Sequence, residues 1–279
     1  MYVKCWGARG SIPVSGPPYN RYGGDTACME IRTSDDHILI VDAGTGIRRL
    51  GNQLLKEGRL HYHLLFTHAH WDHLMGFPFF RPIFTEGTTI RVFRCPSSEG
   101  YAESMITRVM TPPNFPINYS DLKAKISFKN GCPDPFFLGS MRITPIRLNH
   151  PNGGCGYRFT ENEKSFVFLT DNELGHRHAE GLTFEDYRDF CRGADLLIHD
   201  AEYTPDEYGT KILWGHSSYM DVVRLAMESG VRRLGFFHHN QDRSDTDVDR
   251  MVRNACDHIR RHNSSLECFA VAADMHFYL

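Results

Sequence analysis

The stretch LLFTHAHWDHLMGFP, residues 64–78, places four potential metal ligands within six consecutive positions. In the spacing H-x-H-x-D-H, these ligands are His68, His70, Asp72 and His73. An isolated histidine needs no metal to explain it, but four such side chains in one short loop do. Neutral imidazoles and carboxylates are ligands of zinc, manganese and iron. The stretch therefore predicts a metal site in the loop between a strand that ends at His68 and an apolar, helical segment at residues 75–80.

Four residues in a short loop cannot complete two coordination shells, so further ligands have to come from elsewhere. Three distant predicted strands end in suitable side chains: His150 after ITPIRLN, Asp171 after SFVFLT, and His238 after RLGFF, with His239 next to it. Alone, each of these would suit a structural role. Together they complete a site for two metal ions, in which the short carboxylate of Asp171 could bridge both.

The composition limits the classes of protein that the chain can belong to. It has 279 residues, of which 41% are hydrophobic and 23% charged, with a formal net charge of −3. These values predict a globular protein and argue against a dedicated nucleic-acid binder, which is normally basic. No apolar run approaches the roughly 18 residues of a membrane span, and no secretory signal is apparent. We therefore expect a cytoplasmic protein whose eight scattered cysteines are free thiols rather than a disulfide framework.

Short runs of apolar, β-branched or aromatic residues, punctuated by Gly, Asn and Asp, predict strands in both halves of the chain. Helical spacing appears at residues 46–58, 183–194, 218–230 and 246–262, and Thr183 and Ser244 are candidate N-caps. Because no Ser/Gly linker separates the halves, we predict one layered α/β (α+β) domain over residues 1–279, with two sheets sandwiched between helices. The Pro- and Asn-rich segment at about 96–137 is either a solvated connection or a lid or interface element.

The ordered set H-x-H-x-D-H, His, Asp, His resembles the metallo-β-lactamase superfamily over essentially the whole chain. The resemblance implies a four-layer αββα sandwich with two divalent metal ions, foremost zinc, with manganese or iron as alternatives. For the first ion it implies the ligands His68, His70, His150 and Asp171. For the second it implies Asp72, His73, Asp171 and His238. It also marks Asp42, in LIVDAGTG, as the carboxylate that supports the metal loop from behind, whereas by itself Asp42 could be a turn residue.

Three further stretches are similar to tRNase Z, in the phosphodiesterase branch of that superfamily. They are the opening loop WGARGSIP, the segment LLIHDAEYT with Asp200, and GHSS with His216. The resemblance implies that Asp72, Asp200 and His216 are catalytic, and that His216, paired with Asp200, protonates the leaving oxygen. From the residues alone, His216 would be the neighbour of a helix N-cap.

The sequence also departs from tRNase Z. We find no long arm for gripping tRNA, and the net charge is slightly acidic. Trp71, where that family usually has a small residue, would either pack beneath the site or narrow the pocket. Arg9, in the opening loop, is either a phosphate contact or a solvated arginine. These features predict a small phosphodiester substrate, such as a cyclic nucleotide or another cyclic phosphate, with the 96–137 segment of the same chain or of a homodimer partner covering the pocket.

Two other hydrolases and one non-catalytic role compete with this interpretation. A tRNase Z-like RNA endonuclease would use the same residues on a polymer. A thioester hydrolase of the glyoxalase II type would use nearly the same metal ligands but would not need His216, and would normally end in a helical region. This chain instead ends in predicted strands. A metal-stabilised binding protein would be expected to lack ligands, yet all seven positions are filled.

Overall fold

Two seven-stranded sheets form the centre of the fold in a computed structural model. The structure describes residues 1–94, 101–113, 115–130 and 132–279, without the side chains of residues 94, 101, 102 and 130. The strands of the first sheet are, in spatial order, β14 (His276–Tyr278), β1 (Tyr2–Gly7), β2 (Cys28–Arg32), β3 (Ile38–Val41), β4 (His61–Leu65), β5 (Thr89–Arg94) and β6 (Lys125–Asn130). Those of the second are β13 (Glu267–Ala270), β12 (Arg233–Phe237), β11 (Leu196–Asp200), β10 (Lys164–Leu169), β9 (Cys155–Glu161), β8 (Met141–Arg147) and β7 (Phe136–Leu138).

Helices cover the outer face of each sheet, so that the molecule has four layers. The helices are α1 (Ile47–Lys56), α2 (Trp71–Leu74), α3 (Tyr101–Val109), α4 (Phe184–Cys191), α5 (Pro205–Tyr208), α6 (Tyr219–Glu228) and α7 (Asp245–Arg261). One buried apolar cluster lies between the two sheets, a second joins the first sheet to α1 and α3, and a third joins the second sheet to α4, α6 and α7. This arrangement confirms the predicted αββα sandwich.

The strand directions explain why the candidate ligands meet. β3, β4, β5 and β6 run parallel in the first sheet, and β10, β11, β12 and β13 run parallel in the second. Because the carboxyl ends of parallel strands lie at the same edge of a sheet, the loops that follow them converge. The loops after β3 and β4 therefore face those after β10, β11 and β12 across the joint between the sheets.

The sequence predicts most of these elements, with identifiable exceptions. Four of the five predicted helices correspond to α1, α4, α6 and α7, and Thr183 and Ser244 cap α4 and α7 with their side chains. The prediction of a helix at residues 75–80 is wrong. Two short 3-10 turns, Phe77–Phe79 with Pro78 and Arg81–Phe84 with Pro82, follow α2 instead. Strands β6 and β7 and helix α3 lie in the 96–137 segment, where no element was predicted; residues 96–100, 114 and 131 of it lie outside the described residues. Its role as a lid stays a prediction.

The structure also bears on the predictions for the cysteines and for membrane spans. Among the described residues, six cysteines are free thiols, as expected, but the expectation is wrong for Cys132, which is disulfide-bonded. Within the described ranges, every helix is too short or too polar to cross a bilayer.

Arg9 is neither a solvated loop residue nor a phosphate contact, because its side chain is fully buried. Its guanidinium donates to the carbonyl oxygens of Gly23, Asn240 and Arg243 at 3.0–3.3 Å. Backbone hydrogen bonds from Gly10 N to His239 O and from His239 N to Ala8 O lie beside it, both at 3.0 Å. Arg9 therefore ties the opening loop to the segment that follows His238.

Replacing this guanidinium should destabilise the fold. Arg9→Met leaves buried carbonyl groups without their donor, and we expect a loss of about 3 kcal/mol in the free energy of unfolding. Urea denaturation followed by circular dichroism measures it. Arg232→Met, at a side chain that is 72% exposed, serves as the control and should change stability by less than about 0.5 kcal/mol. Equal stability of the two variants would show that Arg9 does not hold the loops together.

Candidate metal centre

The seven predicted ligands lie together in segments that follow strands of both sheets. Asp72 and His73 are in α2, which follows β4, while His150 follows β8, Asp171 follows β10 and His238 follows β12. Asp171 and His238 have φ angles of 53° and 56°, which is unusual for residues other than glycine. Such conformations cost energy and are typical of functional sites, where the surrounding structure maintains them. Here they turn two side chains sharply away from their strands towards the joint between the sheets.

One group of possible ligands surrounds the space beside the first histidines of the loop. Its ligand atoms all lie within 4.8 Å of one another, and its members are His68, His70, His150 and Asp171. His68 Nε2 lies 3.4 Å from Asp171 Oδ2, and His150 Nε2 lies 3.2 Å from His70 Nδ1. His68, His150 and Asp171 are buried, while His70 is partly exposed. The group matches the set that the resemblance implies for the first ion.

A second group shares Asp171 with the first. Its members, again with ligand atoms within 4.8 Å of one another, are Asp72, His73, Asp171 and His238. His73 Nε2 lies 3.3 Å from Asp171 Oδ1, whereas His238 Nε2 lies 3.4 Å from Asp171 Oδ2. Asp72 Oδ2 is 3.0 Å from His238 Nε2 and 3.3 Å from His73 Nε2. The carboxylate of Asp171 thus faces both groups, as a bridging ligand would.

The donor atoms of the two groups fit divalent metal ions. His68 Nε2 and His73 Nε2 are buried without a hydrogen-bond partner among the described residues. Buried polar atoms normally have a partner, so unpaired nitrogens that point towards carboxylates fit a site for cations. Three or four imidazole and carboxylate donors at such distances are the set that zinc, manganese or iron accepts.

The remaining ring nitrogens are fixed by groups behind the centre. His73 Nδ1 donates to Asp42 Oδ2 at 2.8 Å, and His150 Nδ1 donates to Gly215 O at 3.0 Å. Asp42 also accepts from Thr67 N and Thr67 Oγ1, both at 2.7 Å. A hydrogen bond to one ring nitrogen leaves the other free for a metal and sets the orientation of the ring. The supporting role predicted for Asp42 therefore agrees with its contacts.

Two glycines allow backbone to approach these rings. A Cβ atom at Gly10 would lie 2.3 Å from the imidazole of His238, and one at Gly215 would lie 1.9 Å from the imidazole of His150. Gly215 also has a φ of 87°, which few other residues adopt. The opening loop and the GHSS segment thus contact the metal ligands through glycine, which explains why each has a glycine at that position.

Burial and charge act in opposite directions on the titratable groups of the centre. Burial keeps the pKa of His68 well below its usual value, which favours the neutral imidazole that binds metals. Burial would raise the pKa of Asp171, but His238, His73 and His68 hold it well below the usual range. The centre is therefore built to keep its carboxylates ionised.

His216 lies beside the centre, with its ring stacked on His238 at a centroid distance of 4.6 Å. Its Nδ1 is 3.9 Å from Asp200 Oδ2 and 3.8 Å from Glu202 Oε2, and has no hydrogen-bond partner among the described residues. Burial would lower the pKa of His216, but the carboxylates of Glu202 and Asp200 raise it to about 9. His216 was predicted to pair with Asp200. In the structure it lies about equally close to the carboxylates of Asp200 and Glu202.

Glu202 is the site residue that sequence reasoning missed. It is buried, accepts from His238 Nδ1 at 2.6 Å and from Asn240 Nδ2 at 2.9 Å, and lies between His238 and His216. Asp200, by contrast, accepts from the backbone N–H groups of Asn172 and Ser217. The sequence did contain a signal for Glu202. It is an acidic residue two positions after Asp200, and side chains two positions apart in an extended segment point the same way.

The structure corrects the interpretation of Trp71 and distinguishes His238 from its neighbour His239. Trp71 does not pack beneath the site, because its side chain is 63% exposed; it lines a cavity of about 310 Å³ between the metal loop and α3. His238 rather than His239 reaches the ligand groups, since His239 Nε2 donates to Val271 O at 2.8 Å.

Known proteins resemble this chain in sequence and in fold. Ribonuclease Z of Gemmatimonas aurantiaca is 26% identical over 255 residues, which cover 74% of this chain and 77% of that protein. The metallo-beta-lactamase fold protein YhfI from Bacillus subtilis has a TM-score of 0.71 and 18% identity, over 99% of this chain and 98% of its own. A diphosphatase from the PhnP family has a TM-score of 0.67 and 16% identity, over 100% and 97%.

A family model for the beta-lactamase superfamily domain matches residues 37–239. The matched range begins just before β3, includes all seven ligand positions and ends directly after His238. This confirms the resemblance drawn from the ligand motifs, and the ribonuclease Z relatives agree with the predicted branch. The chain therefore belongs to the beta-lactamase superfamily.

Proposed function

We propose that this protein is a metal-dependent phosphodiesterase with a dinuclear centre that acts on a small phosphodiester. The observation that carries the proposal is the position of the Asp171 carboxylate between the two ligand groups. Its Oδ2 lies 3.4 Å from His68 Nε2 of the first group and 3.4 Å from His238 Nε2 of the second, and its Oδ1 lies 3.3 Å from His73 Nε2. His68, His70 and His150 would hold one divalent ion with Asp171, and Asp72, His73 and His238 would hold the other. Zinc suits these donors best, with manganese or iron as alternatives.

In this proposal, two bound ions would activate a water molecule and neutralise charge on the phosphate. Asp72, whose Oδ2 accepts from Ser11 N at 2.9 Å, is fixed next to both His73 and His238. His216 holds the proton that the leaving oxygen needs when its bond to phosphorus breaks. Asp200 and Glu202 stabilise the protonated ring. Phosphoryl transfer requires this charge neutralisation and protonation because negative charge builds on the leaving oxygen.

The acidic surroundings of the centre support a small substrate rather than a polymer. Affinity for nucleic acid comes largely from lysine and arginine contacts with phosphates. The formal net charge is −3. The cavity next to His216 is lined by three acidic side chains, Glu202, Glu207 and Asp242, and by two basic ones, Lys211 and Arg243. A cyclic nucleotide or another cyclic phosphate needs only a pocket in which the metal ions supply most of the positive charge.

A ribonuclease Z-like activity on RNA is the second candidate, and the sequence relatives favour it. The thioester hydrolase has less support. The sequence relatives are ribonucleases Z, and a thioester hydrolase would not need His216, which lies beside the centre.

Turnover by purified, zinc-loaded protein distinguishes the first two candidates. We expect hydrolysis of a 2′,3′- or 3′,5′-cyclic nucleotide with a modest dependence on salt, and poor cleavage of precursor tRNA. Initial rates at 50 and 200 mM salt measure both. Efficient cleavage of precursor tRNA that falls steeply with salt, without turnover of any small diester, would establish the nuclease instead.

The role of His216 predicts a dependence on the leaving group. His216→Ala should reduce kcat by about 10²–10⁴-fold on a diester with a poor leaving alcohol. On bis(4-nitrophenyl) phosphate, whose leaving group needs no proton, the loss should be much smaller. Steady-state kinetics on the two substrates measure the difference, with metal content determined in parallel.

A distant histidine provides the control for this variant. His262→Ala, on an exposed side chain after α7, should keep the wild-type rate on both substrates. Equal losses on both substrates in His216→Ala, at unchanged metal content, would show that the residue binds substrate or supports the fold rather than transferring a proton.

A further inference from the structure

Three large apolar side chains are exposed on one turn directly before His216. Ile212, Leu213 and Trp214 are 46%, 58% and 60% exposed. Single exposed apolar residues are common, but three in a row beside a catalytic centre are typical of a binding surface. The turn at residues 211–215, which we call the Trp214 turn, therefore needs an explanation beyond connecting α5 to α6.

A buried carboxylate holds the Trp214 turn in one conformation. Glu173 is fully buried, and it accepts from Leu213 N and Gly215 N at 2.9 Å each and from Tyr208 OH at 2.8 Å. Leu213 has a φ of 79°, a strained conformation for a leucine. Because Gly215 O in turn accepts from His150 Nδ1, the position of Trp214 is fixed relative to the metal ligands. The indole is thus presented on a rigid support.

Trp214 forms one wall of a cavity of about 330 Å³ that opens onto His216. Lys211 lies over the indole, with its Nζ 4.2 Å from the ring centroid, and Tyr203 and Asn240 also line the cavity. The polar side chains of Gln241 and Arg243 line the cavity as well. The cavity therefore combines an aromatic surface with polar side chains, which together suit a planar ring with a polar edge.

We propose that this cavity binds a nucleoside and that the nucleobase stacks on Trp214. The inference rests on the proposed function, since the position of His216 on the cavity wall identifies the bound group as the leaving alcohol. Stacking on an aromatic side chain is a common way to bind any of the bases. The substrate class is then a phosphodiester whose leaving oxygen belongs to a nucleoside.

The corresponding reaction consumes one water molecule per diester. The bond between phosphorus and the nucleoside oxygen breaks, and that oxygen takes a proton to become a hydroxyl group. The oxygen of water remains on phosphorus. In an acyclic diester the second product is therefore the phosphomonoester of the other alcohol, whereas in a cyclic nucleotide the phosphate stays on the same nucleoside and a single product forms. In an asymmetric diester, the proposal thus determines which of the two ester bonds breaks.

The methyl ester of deoxyadenosine 3′-phosphate tests which ester bond breaks, because only one of its two alcohols, the nucleoside, contains a ring. We expect the zinc-loaded protein to release deoxyadenosine and methyl phosphate. Trp214→Ala should lower kcat/KM for this ester by about tenfold, and Trp214→Phe should restore most of it. On bis(2,2,2-trifluoroethyl) phosphate, a diester without a ring, Trp214→Ala should lose far less activity than on the nucleoside ester.

Ile212→Ala is the matched control, because Ile212 is exposed on the same turn but does not line the cavity. It should behave as wild type on both diesters. Release of methanol and deoxyadenosine 3′-phosphate, or equal rates of wild type and Trp214→Ala on the nucleoside ester, would overturn the inference while leaving the proposed function intact. Absence of turnover of every diester by the metal-loaded protein would overturn the proposed function itself.

Discussion

The buried carboxylate of Asp171 is the group on which the rest of the centre depends. It lies where the two sheets meet, with one oxygen towards His73 and the other towards His68 and His238. Burying an ionised carboxylate is costly unless opposite charge or hydrogen-bond donors compensate for it. The imidazoles around Asp171 provide part of that compensation, and two divalent ions would provide the remainder. The left-handed backbone at Asp171 is the local strain that this position requires.

The surrounding structure serves to hold these groups in place. Asp42, Glu202 and the carbonyl of Gly215 each fix one imidazole through its second nitrogen. Glu202 additionally approaches His216, and the Trp214 turn begins four residues before Gly215. The same loops that orient the metal ligands thus form the cavity in which we place the leaving group, so that binding and proton transfer share one support.

The metal centre could be predicted because its ligands stand in local sequence patterns. Burial that depends on residues far away in the chain could not be predicted in this way. His68 to His73 stand in one motif, and His150, Asp171 and His238 each end a recognisable strand. The burial of Arg9 depends on carbonyl groups more than 200 positions away, so a loop arginine was expected to be solvated or to contact phosphate. Glu202 was missed because Asp200, two residues earlier, already filled its role in the resemblance. Strand β6 follows a Pro- and Asn-rich stretch and gains its stability from pairing with β5.

The central claim is that Asp171 joins two metal ions, and the metal content of an Asp171→Asn variant tests it most directly. Elemental analysis after dialysis against zinc should find about two ions per wild-type chain. The variant keeps the size of the side chain but loses the charge between the two groups, so it should lose most of both ions. Circular dichroism shows whether the variant remains folded. A wild-type content of one ion per chain, retained in full by the folded variant, would contradict the account.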